Sequence, residues 1–316
     1  MNIIVVGSAL IDVSVKNTHG FEITSKNLKK YISIPYSSKI EVNDIELHVG
    51  GSGHNIATDL AKLGHKVNFV GKLGNDPFSN QIISDFKEER VDTRNVKIVK
   101  EGKTGFSVIF FSADGERSIV VYNGRNLDLN ADDIPKKDLK NSKWLIFTSI
   151  TSKTSLKFLS ETIKLAKKND VKILACPSIR MIRLRKKELL EFIKNSDMAI
   201  MNEEEIRELT GVKNVILSMK KLNRLGVKLV VTTLGRKGSI AFYGAKIYRH
   251  KEFKVKIIDT TGCGDSFVAG FLHYIFKKRT VLEALKFANA SAALQCLKIG
   301  SESLPEKEVL DFISRH

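Results

Sequence analysis

From residue 144 to residue 233 the chain repeats one pattern: a short apolar run, then a stretch with helical spacing. The runs are 144–147, 171–175, 198–201 and 229–233, and the helical stretches between them include 155–168 and 203–209. An apolar run without alternation has to be covered on both faces. Helices lying between such runs supply that cover, so the pattern predicts a mostly parallel sheet between two helical layers. The first third joins it. Residues 2–7 (NIIVVG) and 67–71 read as strands, and 78–87 as a helix. Another helix begins near Asn55, with Ile56, Leu60 and Leu63 on one face and Gly64 as its stop. Two long helices follow at about 264–276 and 281–297.

Two stretches break the rhythm. Residues 14–50 are polar, with alternating pieces at 39–42 and 45–49. Residues 104–122 hold Phe106, Val108 and Phe110 before Asp114-Gly115, and Ile119 to Val121 after it, which predicts a hairpin. Together they are expected to form a small sheet projecting from the main one. Residues 240–258 look like a further meander that ends in an alternating strand at 254–258. At 316 residues the chain has room for about two domains, or for one large one with an appendage. Without an internal repeat or linker, 1–316 reads as one α/β unit.

Composition removes several classes of function. The apolar share of 42 % and charged share of 28 % are those of an ordinary globular protein. The apolar start lacks a basic leader and is broken by Gly7, Ser8 and Asp12, so it reads as a buried strand and not as a signal peptide or membrane span. Cys176, Cys263 and Cys296 are odd in number and scattered, which argues against disulfides or zinc and fits a cytoplasmic protein. The balance of 52 Lys+Arg against 35 Asp+Glu gives +17. The basic residues are dispersed and no aromatic-laced stripe runs among them, which weighs against a nucleic-acid partner.

Two segments carry chemistry. Asp259-Thr260-Thr261-Gly262-Cys263-Gly264-Asp265 opens a helix. Glycines at a helix start leave backbone N–H groups open to an anion, and the helix dipole favours negative charge there. Asp265, beside such a cradle, could take a proton from an attacking hydroxyl; at a helix start it could also be ordinary. The second segment, Gly50-Gly51-Ser52-Gly53-His54-Asn55, falls short of a dinucleotide fingerprint because Ile56 holds its last position. The chain has no Walker A sequence.

Taken together these segments resemble the ribokinase-like, or PfkB, carbohydrate kinases. Asn202-Glu203-Glu204-Glu205 is similar to the family's NxxE motif, and Thr233-Leu234-Gly235-Arg236-Lys237-Gly238 to its TxGxxG stretch. The resemblance implies a three-layer α/β sandwich with a mostly parallel central sheet and a small β-sheet lid, drawn from about 14–50 and 104–122. It implies an ATP- and Mg²⁺-dependent transfer of phosphate to a hydroxyl of a small sugar or nucleoside. Asp265 would be the catalytic base, and Gly262, Cys263 and Gly264 the anion hole, with Cys263 where the family usually has Ala. Asp12, expected at the end of the first strand, would bind substrate with Gly51, Ser52 and Asn55. Asn202, Thr233, Gly235, Gly238 and Asn289 would serve the nucleotide, and Glu205, with Asn202, the Mg²⁺ through water. Asp259, Thr261 and Gly300 match a monovalent-cation site, so K⁺ is a further expectation. A homodimer through the lid is also implied.

The substrate is less legible. Ser52 replaces the Lys usual in ribokinases, and Ile150 stands where they carry Glu. Gly105 replaces the Arg with which phosphofructokinase-like members hold a substrate phosphate, although Arg125 could supply another anchor. Phe21, Phe106 or Phe110 could stack on a base or belong to the core. Two alternatives stay open. One is a kinase of a phosphorylated sugar of the ribose 1-phosphate or fructose 6-phosphate type, with ADP as a conceivable donor. The other is a nucleic-acid-binding or regulatory protein on a kinase scaffold.

Overall fold

The structure is a computed structural model, and it describes all residues except 17–21, 27–28 and 112–116. The first strands are β1 (Asn2–Val6), β2 (Leu10–Lys16), β3 (Glu22–Lys26), β4 (Lys29–Ser33) and β5 (Asp44–Gly50). They are followed by β6 (Lys66–Gly74), β7 (Asp92–Val99), β8 (Gly105–Phe111), β9 (Arg117–Tyr122) and β10 (Trp144–Phe147). The last are β11 (Lys172–Ala175), β12 (Met198–Asn202), β13 (Leu229–Thr233), β14 (Ser239–Tyr243) and β15 (Lys246–His250). The helices begin with α1 (Ser52–Lys62), α2 (Pro77–Glu88), α3 (Lys136–Asn141), α4 (Lys153–Lys168) and α5 (Ile179–Lys194). They end with α6 (Glu203–Thr210), α7 (Val215–Arg224), α8 (Cys263–Phe276), α9 (Val281–Gln295) and α10 (Glu306–Arg315).

Nine strands form the central sheet in the order β15-β14-β13-β12-β11-β10-β1-β6-β7. All neighbours are parallel except β13–β14 and β14–β15. Successive side chains of a strand point to opposite faces, and each face has its own core. Ile4 and Val6 pack with α4, α5, α6 and α7 residues, while Ile3 and Val5 pack with α1, α2, α8 and α9 residues. The apolar runs lack alternation because both faces are covered, as the sequence pattern requires.

The lid is a second sheet, β5-β2-β8-β9. Its two parts come from the two stretches that break the strand–helix rhythm, but it starts earlier, at Leu10. Asp12 therefore lies within β2 of the lid and not at the end of the first strand. Asn126 anchors the base of the lid: its side chain accepts from the Ala9 N–H at 3.1 Å and donates to the Ala9 carbonyl at 2.9 Å. Among the described residues, strands β3 and β4 pair only with each other. Two expected strands are absent: 39–42 and 254–258 are irregular backbone. Strand β8 pairs antiparallel with β9, whereas the Asp114-Gly115 turn expected between them lies outside the described residues. No described helix is long and apolar enough to cross a membrane.

Candidate active site

The end of β1 and the start of α1 meet backbone to backbone. The His54 N–H donates to the Ser8 carbonyl at 3.0 Å. A Cβ on Gly53 would lie 2.8 Å from Gly7, and one on Gly51, where φ is +97°, would lie 2.7 Å from the Ser8 oxygen. That closeness points the first turn of α1 at the first turn of α8. The buried Asn55 amide there donates to Asp265 Oδ2 at 2.8 Å, and the Ser52 side chain also hydrogen-bonds the carboxylate. Burial pushes the Asp265 carboxyl up to about 6; the bonds from Asn55 and Ser52 and the charge of His54 oppose this, and Asp12 adds to it. A carboxylate so placed is ionised at neutral pH and still a competent proton acceptor.

Asp12 faces the same space from the lid. Ser107 of β8, which the sequence reading missed, donates a short hydrogen bond to Asp12 Oδ1. A Cβ on Gly50 would strike Asp12 Oδ2, so glycine there makes room for the carboxylate. Ser107 lies directly across from Asp12 in the β2–β8 ladder; only that register, and no local motif, could have revealed it.

At the start of α8, Gly262 is left-handed (φ +72°) and a Cβ on it would meet Ser301 Oγ at 2.4 Å, whereas one on Gly264 would meet nothing within 4 Å. The helix N-terminus is thus open at Gly264, as an anion cradle requires. Cys263 fits without distortion, its Sγ 3.7 Å from the Asp259 carbonyl. Asp259 ties the preceding loop together: Oδ1 accepts from Thr261 N–H (2.9 Å) and Oγ1 (2.8 Å), and Oδ2 from Gly300 N–H (3.0 Å). The Gly300 carbonyl in turn accepts from Gln295 Nε2 at 2.6 Å. Asp259, Thr261 and Gly300 therefore sit together.

Beyond α8 lies a cleft of about 590 Å³ lined by Thr233, Gly235, Gly238, Phe253, Cys263 and Gly264, among others. Asn289 also lines it, its amide donating to the carbonyls of His250 (3.3 Å) and Lys251 (3.2 Å) and so fixing that wall. Asn202 and Glu205 form a reciprocal cap on α6: each side chain accepts from the other's backbone N–H at 2.8 Å. Burial pushes the Glu205 carboxyl up to about 7, with Glu204 and Asp265 adding to the effect. Among the described residues no three His, Cys, Asp or Glu side chains are arranged to hold a metal ion.

Three substrate expectations gain context. Ile150 is core, 1 % exposed. Arg125 is committed to Asp128 Oδ2 at 2.6 Å and to the Glu101 carbonyl. Phe106 is half-buried between Phe78 and Tyr122, and Phe21 lies outside the described residues.

Residues 2–308 match the family described as pfkB family carbohydrate kinase. The chain belongs to that family. It is 31 % identical over 284 residues to a 5-dehydro-2-deoxygluconokinase of Clostridium botulinum (strain Alaska E43 / Type E3), covering 84 % of each chain. It is 30 % identical to a ribokinase of Haemophilus influenzae, over 92 % of this chain and 96 % of that one. An E. coli structure described as ribokinase II, in complex with ATP and Mg²⁺, superposes with a TM-score of 0.87 at 19 % identity, covering 100 % of this chain and 99 % of its own. As a pfkB kinase the protein is a phosphotransferase acting on an alcohol group of a sugar or nucleoside, and the fold is that of the ribokinases.

Proposed function

We propose that the protein transfers the terminal phosphoryl group of ATP to a hydroxyl of a small, unphosphorylated sugar or nucleoside. The observation that carries this reading is the Asn55–Asp265 pair, facing Asp12 and Ser107 on one side and the open N-terminus of α8 on the other. Asp12, with Ser52 and Asn55 beside it, binds substrate hydroxyls; an ionised carboxylate can accept from two of them. Gly51 and Gly50 let the turn approach closely. Asp265 accepts the proton of the attacking hydroxyl. The backbone N–H groups of residues 262–264 face the charge that develops on the transferred group. The cleft past Thr233, Gly235 and Gly238 takes the nucleotide, with Asn289 fixing its far wall. The lid closes over the substrate and keeps water from competing.

Mg²⁺, when bound, neutralises phosphate charge. Glu205 is the carboxylate placed to hold its hydration shell, and such indirect binding suits an ion that keeps most of its water. The loop of Asp259, Thr261 and Gly300 is the place for K⁺. The E. coli complex with ATP and Mg²⁺ supports the choice of donor and metal. The ion pair that occupies Arg125 favours an unphosphorylated substrate over a sugar phosphate. The relatives named for 5-dehydro-2-deoxygluconate and ribose favour a sugar acid or pentose. The exposed Ile45, Leu47, Ile119 and Val121 of the lid are the surface for a homodimer.

The test is ADP release with ATP and Mg²⁺ across a panel of ribose, deoxyribose, 5-dehydro-2-deoxygluconate, fructose, adenosine, cytidine, ribose 1-phosphate and fructose 6-phosphate. Turnover of an unphosphorylated compound, lost in Asp265→Asn, is expected. Turnover confined to the phosphates, or undiminished in Asp265→Asn, would overturn it.

A further inference from the structure

His54 has no part in the reaction derived so far, yet its ring is buried at the first turn of α1 and bonded at both nitrogens. Nδ1 lies 3.2 Å from Asn55 Oδ1, and Nε2 lies 2.7 Å from Asp85 Oδ2 on α2. The residue is 3 % exposed and packs against the Phe86 ring at 4.7 Å. Counting donors sets its charge. Asn55 gives its amide N–H to Asp265, and an ionised carboxylate only accepts, so the other end of the Asn55 amide presents its oxygen to His54. Nδ1 must then donate. At the other nitrogen stands Asp85, whose side chain is 36 % exposed. A carboxylate only accepts, so Nε2, 2.7 Å from Asp85 Oδ2, donates as well. A ring that donates from both nitrogens is an imidazolium.

We propose that His54 is a buried imidazolium that orients Asp265 through Asn55 and keeps it ionised, in a chain running Asp85–His54–Asn55–Asp265. His54 is a positioning residue, and the inference rests on Asp265 being the base. The titratable groups facing His54 are Asp85 from α2 and Asp265 from α8. Those facing Asp265 include Asp12 from the lid, Asp59 from α1, Glu205 from α6 and Cys176 after β11. The carboxylates among them push Asp265 toward its protonated form, and a cation at His54 opposes them.

Two measurements test it. In ¹⁵N-histidine spectra of the wild-type protein at pH 7, His54 should show protons on both ring nitrogens; a single ring proton overturns the proposal. In His54→Gln the acid limb of kcat/KM should move to higher pH by on the order of one unit, because removing a nearby cation raises the carboxylate's pKa. Asp85→Asn should move it in the same direction. An acid limb unmoved in a folded His54→Gln overturns the proposal. If that variant fails to fold, the ring-proton count in the wild type decides. Asp265→Asn separates the two claims. If it turns over like the wild type, the base assignment fails while the spectra still report the charge of His54. If it is dead and His54→Gln keeps the wild-type profile, only the role of His54 fails.

Discussion

Helices α1 and α8 both open at a glycine turn, and both turns meet at Asp265, but their glycines answer to different neighbours. At α1, Gly51 and Gly53 press on the backbone of Ser8 and Gly7. At α8, Gly262 leans on Ser301, while Gly264 has nothing within 4 Å of where its side chain would be. A glycine crowded by its own chain is a packing requirement. A glycine facing open space at a helix N-terminus leaves room for an anion that arrives from solvent. By that measure Gly51, Gly53 and Gly262 answer to packing, and Gly264 alone of these four leaves the helix start open.

Asp265→Asn would show how much the α8 turn depends on its carboxylate: kcat should fall by about 10²–10⁴-fold, the range for a lost general base, with no loss of stability. Gly264→Ala should lower kcat/KM by about tenfold or more by filling the cradle, while denaturant unfolding stays within about 0.5 kcal/mol of wild type. Gly53→Ala should behave in the opposite way, losing about 1–3 kcal/mol of stability because its Cβ collides with Gly7. Should Gly264→Ala be active and unstable, or Gly53→Ala stable and inactive, the division between the two turns is wrong.

A subtler difference lies behind the turns. Asp59 of α1 is buried against Ser266 of α8, whose hydroxyl donates to it at 2.8 Å, and burial pushes its carboxyl up to about 8. A carboxyl whose folded pKa is raised binds more protons folded than unfolded, so its contribution to stability falls as pH rises from the unfolded pKa toward about 8. Asp59→Asn should therefore stabilise the fold by on the order of a few kcal/mol at pH 8 and by much less at pH 4, measured by urea unfolding at both. For catalysis the sign runs the other way: a base at Asp265 has to be ionised, so on the proposed mechanism kcat/KM of the wild type should fall as pH drops through about 6. A profile flat down to pH 4.5 would remove Asp265 from the base role.

The two regions also differ in how legible they were. The strands from 144 to 233 stand within a residue of where their apolar runs put them, because a strand covered on both faces has little freedom in composition. The lid was harder to place. Its strands are half-exposed, so the alternation at 39–42 looks like that at 45–49, yet only the second finds a partner strand. Strand β7 and helices α5, α7 and α10 are hard to read from the sequence because polar residues dilute their periodicity. The segment 254–258 alternates without pairing. Asp12 belongs to β2 and not to the end of the first strand, since nothing local marks where β1 ends and β2 begins.

The local sequence could specify backbone conformation and chemical type: glycines at two helix starts, a carboxylate one residue past the second, and a capping pair at Asn202 and Glu205. Those follow from steric freedom and hydrogen-bonding capacity within a few residues. It could not specify which distant groups would share a proton. Asn55 and Asp265 are 210 residues apart, Asp12 and Ser107 95, and His54 and Asp85 31. Their pairing, and with it the basicity of Asp265, depends on burial and on distances of a few ångströms. Only the packing of α1 against α8 and α2 and the closing of the lid sheet set those distances.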